Sequence, residues 1–240
     1  ETIIRPYTET YSFIRYFRNQ TNIGLECNLI ESGKYAVGEY LWIFGDDDFL
    51  ESGDALTIIL SKLESAKFDL LIVNRTRRNN DLTKLISKNW MKFDTNKTKS
   101  YKSLVEFIHE WGLISVIGFI TVNIFKRELF FKAEKKQYFG TMYPQLGMML
   151  EAFSSAPCLL IGKPLICHRT QTTDEKAAEF KHKDKEKDFM SSVSLRNAKY
   201  FGFPFIRMLD ELVSVGALKY TDIHKIKENT VINGYLTEFL

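Results

Sequence analysis

Apolar positions along the chain follow two rhythms. Between residues 22 and 37, Leu25, Leu29, Gly33 and Ala36 or Val37 recur at near-helical spacing, and Gly38 supplies a stop. YLWIF at 40–44 is a continuous apolar run, as in a strand covered on both faces. Ser52 or Asp54 then caps a helix whose Ala55, Ile58, Ile59 and Leu63 lie at i, i+3, i+4 and i+8. FDLLIVN at 68–74 reads as a second buried strand. This helix, strand, helix, strand order predicts right-handed crossovers and an α/β, Rossmann-like fold with a mainly parallel sheet flanked by helices.

Downstream, Ser103 and Glu106 form a capping box for a helix carrying Leu104, Ile108 and Trp111 on one side. Residues 114–125 read as strand, KRELF as a short helix, PQLGMMLEAF (144–153) as another, and CLLIG and LICHR as two short strands. Residues 174–188 mix five Lys with six acids, a solvated helix face or linker. Residues 189–240 read as helical, with Phe189 and Val193, then Ile206, Leu209 and Val213, as apolar stripes. The expected organisation is an α/β domain over 1–172 and a helical region over 173–240, through which chains would pair as a homo-oligomer.

Composition narrows the function classes. A chain of 240 residues holds one sizeable core with an appendage. A net charge of +3 gives no argument for nucleic acid. The charge is uneven, however: between Arg75 and Lys102 nine Lys or Arg stand against two Asp, so this stretch carries +7 and the rest −4. Its weak periodicity reads first as a solvated loop, then as a lid closing on phosphates, then as a peripheral contact with an anionic membrane carrying a lipid-linked acceptor. Cys27, Cys158 and Cys167 are odd in number and lack C-x-x-C spacing, which argues against disulfides or a zinc site and for a reducing compartment. No apolar run of membrane-spanning length occurs. The expected location is the cytoplasm, up to the inner face of the cytoplasmic membrane.

The candidate chemistry sits in GDDDF. Ionised carboxylates about 5 Å apart repel by roughly 3 kcal/mol per pair at an effective dielectric near 20. Asp46, Asp47 and Asp48 directly follow the apolar run, where open α/β sheets place ligands beyond their strand ends. A divalent cation would relieve the repulsion, with a diphosphate completing its shell; a solvated turn capping the next helix would do so equally.

NIGLECNLIESGKYAVGEYLWIFGDDDFLESGDAL resembles the family 2 glycosyltransferases of the GT-A fold, in their abequosyltransferase-like branch, with Asn22, Gly24, Asn28, Ala36, Gly38, Glu39 and Tyr40 at matching places. The resemblance implies transfer of a sugar from a nucleotide-diphosphate donor to a saccharide or lipid-linked acceptor in surface polysaccharide synthesis, with inversion. It implies Mn²⁺ or Mg²⁺ held by Asp46, Asp47 and Asp48 with His168 as a further ligand, and donor contacts from Asn22, Gly24, Asn28, Asp46 and Arg169. It also implies that roughly 40 residues of the family domain, about one βαβ unit, precede Glu1. The family's acidic pair near the acceptor falls here on Tyr143 and Pro144, so the general base is unassigned, with Glu151 the nearest candidate and a solvated helix residue its alternative. A nucleotidyltransferase making sugar nucleotides and a non-catalytic scaffold relative are the rival readings.

Overall fold

The computed structural model describes residues 2–65, 67–113, 117–133, 136–140, 144–170 and 203–229. The chain divides into two compact units, Glu1–Tyr35 and Ala36–Leu240. The first holds α1 (Arg5–Thr10) and α2 (Leu25–Lys34). The α2 start is built by local bonds: Asn22 Oδ1 accepts from the Gly24 N–H at 2.9 Å, and Gly24, at φ 80, turns the chain so that its carbonyl accepts from Asn28 N–H. Phe17 stacks on Tyr35 with ring centroids 3.8 Å apart.

The second unit contains β1 (Tyr40–Trp42), β2 (Asp48–Leu50), α3 (Ala55–Glu64), β3 (Leu70–Arg78), β4 (Leu85–Ser87), β5 (Thr98–Tyr101), α4 (Leu104–Trp111), β6 (Asn123–Lys126), α5 (Arg127–Lys132), α6 (Pro144–Phe153), β7 (Cys158–Arg169), α7 (Phe203–Ser214) and α8 (Tyr220–Asn229). Strand order is β1-β6-β3-β7-β2, with β4 added to β3 and β5 to β7. Among the described strands only β3 and β7 pair in parallel; the other five pairings are antiparallel.

The sheet is therefore mixed and largely antiparallel, and the expectation of a mainly parallel, Rossmann-like sheet is overturned. β1 and β3 do run in the same direction on either side of α3, as a crossover requires, but β6 is inserted antiparallel between them. β2, β4 and β5 lack the long apolar runs that mark buried strands, and antiparallel neighbours need no helical crossover to reach their places. β1 lies at the sheet edge with Tyr40 and Trp42 only half-buried, so YLWIF is not covered on both faces.

Leu70, Leu71, Ile72 and Val73 on β3 are fully buried, as are Leu104, Phe107 and Ile108 on α4 and Met148, Met149 and Phe153 on α6. The capping box is present in a shifted form. Ser103 Oγ accepts from Glu106 N–H at 3.1 Å, and Glu106 Oε2 accepts from the N–H of Lys102, one residue before the cap. Trp111 packs edge-on against Phe93 and donates to Tyr101 Oη at 2.6 Å. α7 packs on α6 and α8 on α4. The expected boundary at 172/173, the charged span 174–188, the Phe189 and Val193 stripe, and Tyr143 lie outside the described residues.

The basic stretch is not a simple loop. Arg75–Arg78 prolong β3, Leu85–Ser87 and Thr98–Tyr101 are strands, and Asn74 ties the intervening residues down. Its Nδ2 donates to Asn89 Oδ1 at 2.6 Å and to the Gly162 carbonyl at 2.9 Å, while its Oδ1 accepts from Met91 N–H at 3.2 Å. CLLIG and LICHR form one strand, β7, whose pairing with β3 shifts register between Val73 and Arg75. Pro164 sits in that irregularity, where a missing N–H is tolerated. A Cβ on Gly162 would lie 2.1 Å from the Asp94 carbonyl oxygen and 2.9 Å from that of Lys97. Gly162→Ala is expected to destabilise the protein by about 3 kcal/mol, since backbone rather than a mobile side chain must give way; urea unfolding midpoints at unchanged m-value measure it.

Candidate active site

Cross-strand register assembles the site. Arg77 on β3 faces His168 on β7, and His168 faces Asp48 on β2, so the three form one row across three neighbouring strands. Arg75, two residues earlier on β3, shares this face. The 3₁₀ turn Ile120–Val122 adds Thr121, and Phe119 precedes it.

The three aspartates divide between environments. Asp46 and Asp47 are exposed, whereas Asp48 is 8% exposed. Thr121 Oγ1 donates to Asp48 Oδ2 at 2.6 Å and accepts from Gly45 N–H at 3.2 Å. Asp48 Oδ1 is sealed from water with no hydrogen-bond partner. A Cβ on Gly45 would stand 2.9 Å from Asp47 Oδ1 and 3.0 Å from Asp48 Oδ2, so these two carboxylates converge on the space beside Gly45. Burial pushes the Asp48 carboxyl up to about 6; the Thr121 hydrogen bond opposes this, Asp47 adds to it, and the Arg75 charge and a backbone interaction with Arg169 oppose it.

His168 stacks obliquely on Phe119, with centroids 4.3 Å apart, and its Nδ1 is buried without a partner. Burial, then the charges of Arg75 and Arg77, depress its pKa to about 4, so at neutral pH the imidazole is uncharged and has a lone pair to offer. The Arg75 guanidinium carbon lies 3.9 Å from the Phe119 centroid and 5.1 Å from that of Trp90, and Arg77 lies 4.6 Å from Trp90.

Of the residues singled out from sequence, Asp48 lies opposite His168 in the strand pair and converges with Asp47 beside Gly45, while Asp46 and Asp47 are both exposed. Arg169 alternates to the opposite sheet face, in register with Arg78. Glu151 lies on α6, where its carboxylate accepts from the Tyr138 hydroxyl and from Gln137 Nε2 at 3.0 Å. Asn22, Gly24 and Asn28 line an open polar groove of about 450 Å³ in the first unit. Arg75, Arg77, Thr121, Phe119 and Trp90 were missed. The two arginines had a signal, an i, i+2 repeat directly after an apolar strand; Thr121 had none.

Among the described residues no three His, Cys, Asp or Glu side chains gather into a set that could hold a metal ion. Asp48 and His168 nonetheless each present a buried polar atom lacking a partner, a carboxylate oxygen and an imidazole nitrogen. That donor pair suits Mg²⁺ or Mn²⁺, which take one or two carboxylates and fill their remaining positions with water and substrate phosphate oxygens.

The sequence profile of Glycosyl transferase family 2 matches residues 1–139, more than half of the chain. The chain belongs to glycosyl transferase family 2. It is 30% identical over 213 residues to abequosyltransferase RfbV of Salmonella typhimurium, a match covering 83% of this chain and 62% of that relative. The crystal structure of S. aureus TarS residues 1–349 superposes with a TM-score of 0.50 at 12% identity, covering 70% of this chain and 47% of that one, and shows the shared fold. Thus the chain spans less than two thirds of either protein. Members of this family typically use divalent cations, and their donors are nucleotide-diphosphate sugars. No helix among the described residues is long and apolar enough to cross a membrane.

Because the folded pKa of Asp48 lies above the usual carboxylate value of 3.8, its favourable contribution is complete below that value and is lost as pH rises through about 6. In metal-free buffer, Asp48→Asn is expected to gain about 1–2 kcal/mol on the native protein between pH 4 and pH 7, after allowance for solvent screening. Parallel urea titrations across this range check the sign.

Proposed function

We propose that the protein is a divalent-metal-dependent glycosyltransferase that moves a sugar from a nucleotide-diphosphate donor to a saccharide or lipid-linked acceptor, by direct displacement with inversion, in surface polysaccharide synthesis. The carrying observation is the sealed, unpartnered Asp48 Oδ1 opposite the unpartnered Nδ1 of a neutral His168. A carboxylate oxygen sealed from water without a donor is costly unless the group is protonated or meets a cation. The identity with an abequosyltransferase supports sugar transfer as the chemistry.

Asp48 and His168, with Asp47 beside them, would hold the cation; when bound, it supplies Lewis-acid stabilisation of charge on the departing diphosphate. The chain's own residues have separate tasks. Thr121 fixes the Asp48 carboxylate by a hydrogen bond, keeping one oxygen aimed into the site. Arg75, held over Phe119, favours the ionised form of Asp48 without occupying Oδ1. Phe119 packs against the half-buried His168 ring, whose Nδ1 is sealed from water.

The test is incubation of the full chain with a panel of sugar nucleotides and Mn²⁺, with an EDTA control, reading the phosphate-containing product. Nucleoside diphosphate release, reduced about 100-fold or more in Asp48→Asn, is the expected result. Pyrophosphate release would identify a nucleotidyltransferase, and no release from any donor would leave a non-catalytic relative.

A further inference from the structure

One sheet face carries more positive charge than its partners neutralise. Arg75 is near enough to Asp48 to favour its ionised form, and Arg78, on the opposite face, finds Glu51 at 3.5 Å. Arg77 has no carboxylate partner among the described residues. Its Nη2 reaches Thr170 Oγ1 only at 3.4 Å, at the limit of a hydrogen bond, and its Nε is sealed from water without an acceptor. A guanidinium carries five donors and keeps its charge at any ordinary pH, so a half-buried one with a single long contact lacks its counter-ion.

The surroundings hold the group in place without neutralising it. Trp90 offers its ring to both guanidiniums, which tolerates cations but supplies no acceptor. Trp90 is itself fastened to β3, its N–H donating to the Arg75 carbonyl at 3.0 Å, with Asn74 bonded to the residues on either side of it. His168, next in the row, is neutral and adds no negative charge. A fixed, partly desolvated planar cation one strand from His168 and two from Asp48 suits a phosphoryl group, whose oxygens match the guanidinium fork.

We propose that Arg77 is an anion-binding residue of this site and takes phosphoryl oxygens of a ligand independently of any metal. The inference rests on the reading of the site as one that handles diphosphate, and extends it by assigning a contact that needs no cation. The phosphoryl group has two possible sources, the donor's diphosphate and a phosphate on the acceptor.

Calorimetric titration of the full chain with inorganic pyrophosphate in EDTA tests the assignment. The native protein is expected to bind, Arg77→Gln to bind about tenfold or more weakly, Arg77→Lys to lie between, and Lys84→Gln, an exposed cation nearby, to match the native protein. Near-ultraviolet circular dichroism verifies folding, and if Arg77→Gln does not fold, a severalfold loss in Arg77→Lys carries the test. Absence of metal-free binding by the native protein, native affinity in the folded Arg77 variants, or an equal loss in Lys84→Gln would overturn it. Two further arms identify the source. Displacement of pyrophosphate by UDP, GDP or CDP points to the donor, whereas Arg77-dependent binding of dodecyl phosphate alongside nucleotide points to the acceptor. Mn²⁺ titration separates the two proposals: if Mn²⁺ fails to bind while Arg77-dependent pyrophosphate binding persists, the metal-dependent reading falls and the anion site stands.

Discussion

The parallel ladder between β3 and β7 governs the rest of the second unit. It begins at Leu70 opposite Cys158, an offset of 88, and by Arg77 opposite His168 has reached an offset of 91, which holds to the last pair, Arg78 with Arg169. Without those three additional residues in β7, Arg77 would face Leu165, and the chemistry-bearing side chains would not share a row. Parity matters as much as distance, because an odd shift exchanges the two faces of a strand. β2 then inherits its position from β7, which is how Asp48 comes to lie in the same row.

Placing these groups together creates an electrostatic problem that the fold resolves only in part. Two of the three neighbouring acids stay in water, where their repulsion is weak, and the third enters the interior. Its relief comes from a neutral hydroxyl and a nearby arginine, while the imidazole opposite is kept uncharged by the same positive groups. The result is a small polar enclosure with paired and unpaired atoms side by side, an arrangement frequent where a ligand completes the structure.

Elements with strong local signals were legible in the sequence. α2, α3, α4 and α6 follow from apolar spacing, α4 also from its Ser103 cap, and the central strand from its run of Leu, Ile and Val, whereas the side-chain cap expected of Ser52 or Asp54 at α3 is not made. Strand direction was not legible, because apolar runs report burial and not the orientation of a neighbour; the short strands β2, β4 and β5 lacked even that signal. The irregularity in β7 was written as Gly162 and Pro164, which read more readily as a break between two strands. In the site, the aspartates and His168 stood out as chemistry next to apolar runs. Arg77 was submerged in a basic stretch whose other members include exposed lysines, and Thr121 acquires its importance only when a turn brings it to residues more than 70 positions away.

Thr121 joins parts of the chain that share no strand pairing with it. Its hydroxyl bridges Gly45 and Asp48, and its carbonyl accepts from Trp42 Nε1 at 2.7 Å. The bond to Asp48 is buried and the other two are part-buried, so mobile counter-ions have less hold on them than on an exposed pair such as Lys97 with Asp94. The enclosure around Asp48 should therefore keep its shape in brine that dissolves the protein's outer charge pairs, leaving ionic strength to act on what enters the cleft and not on the cleft itself.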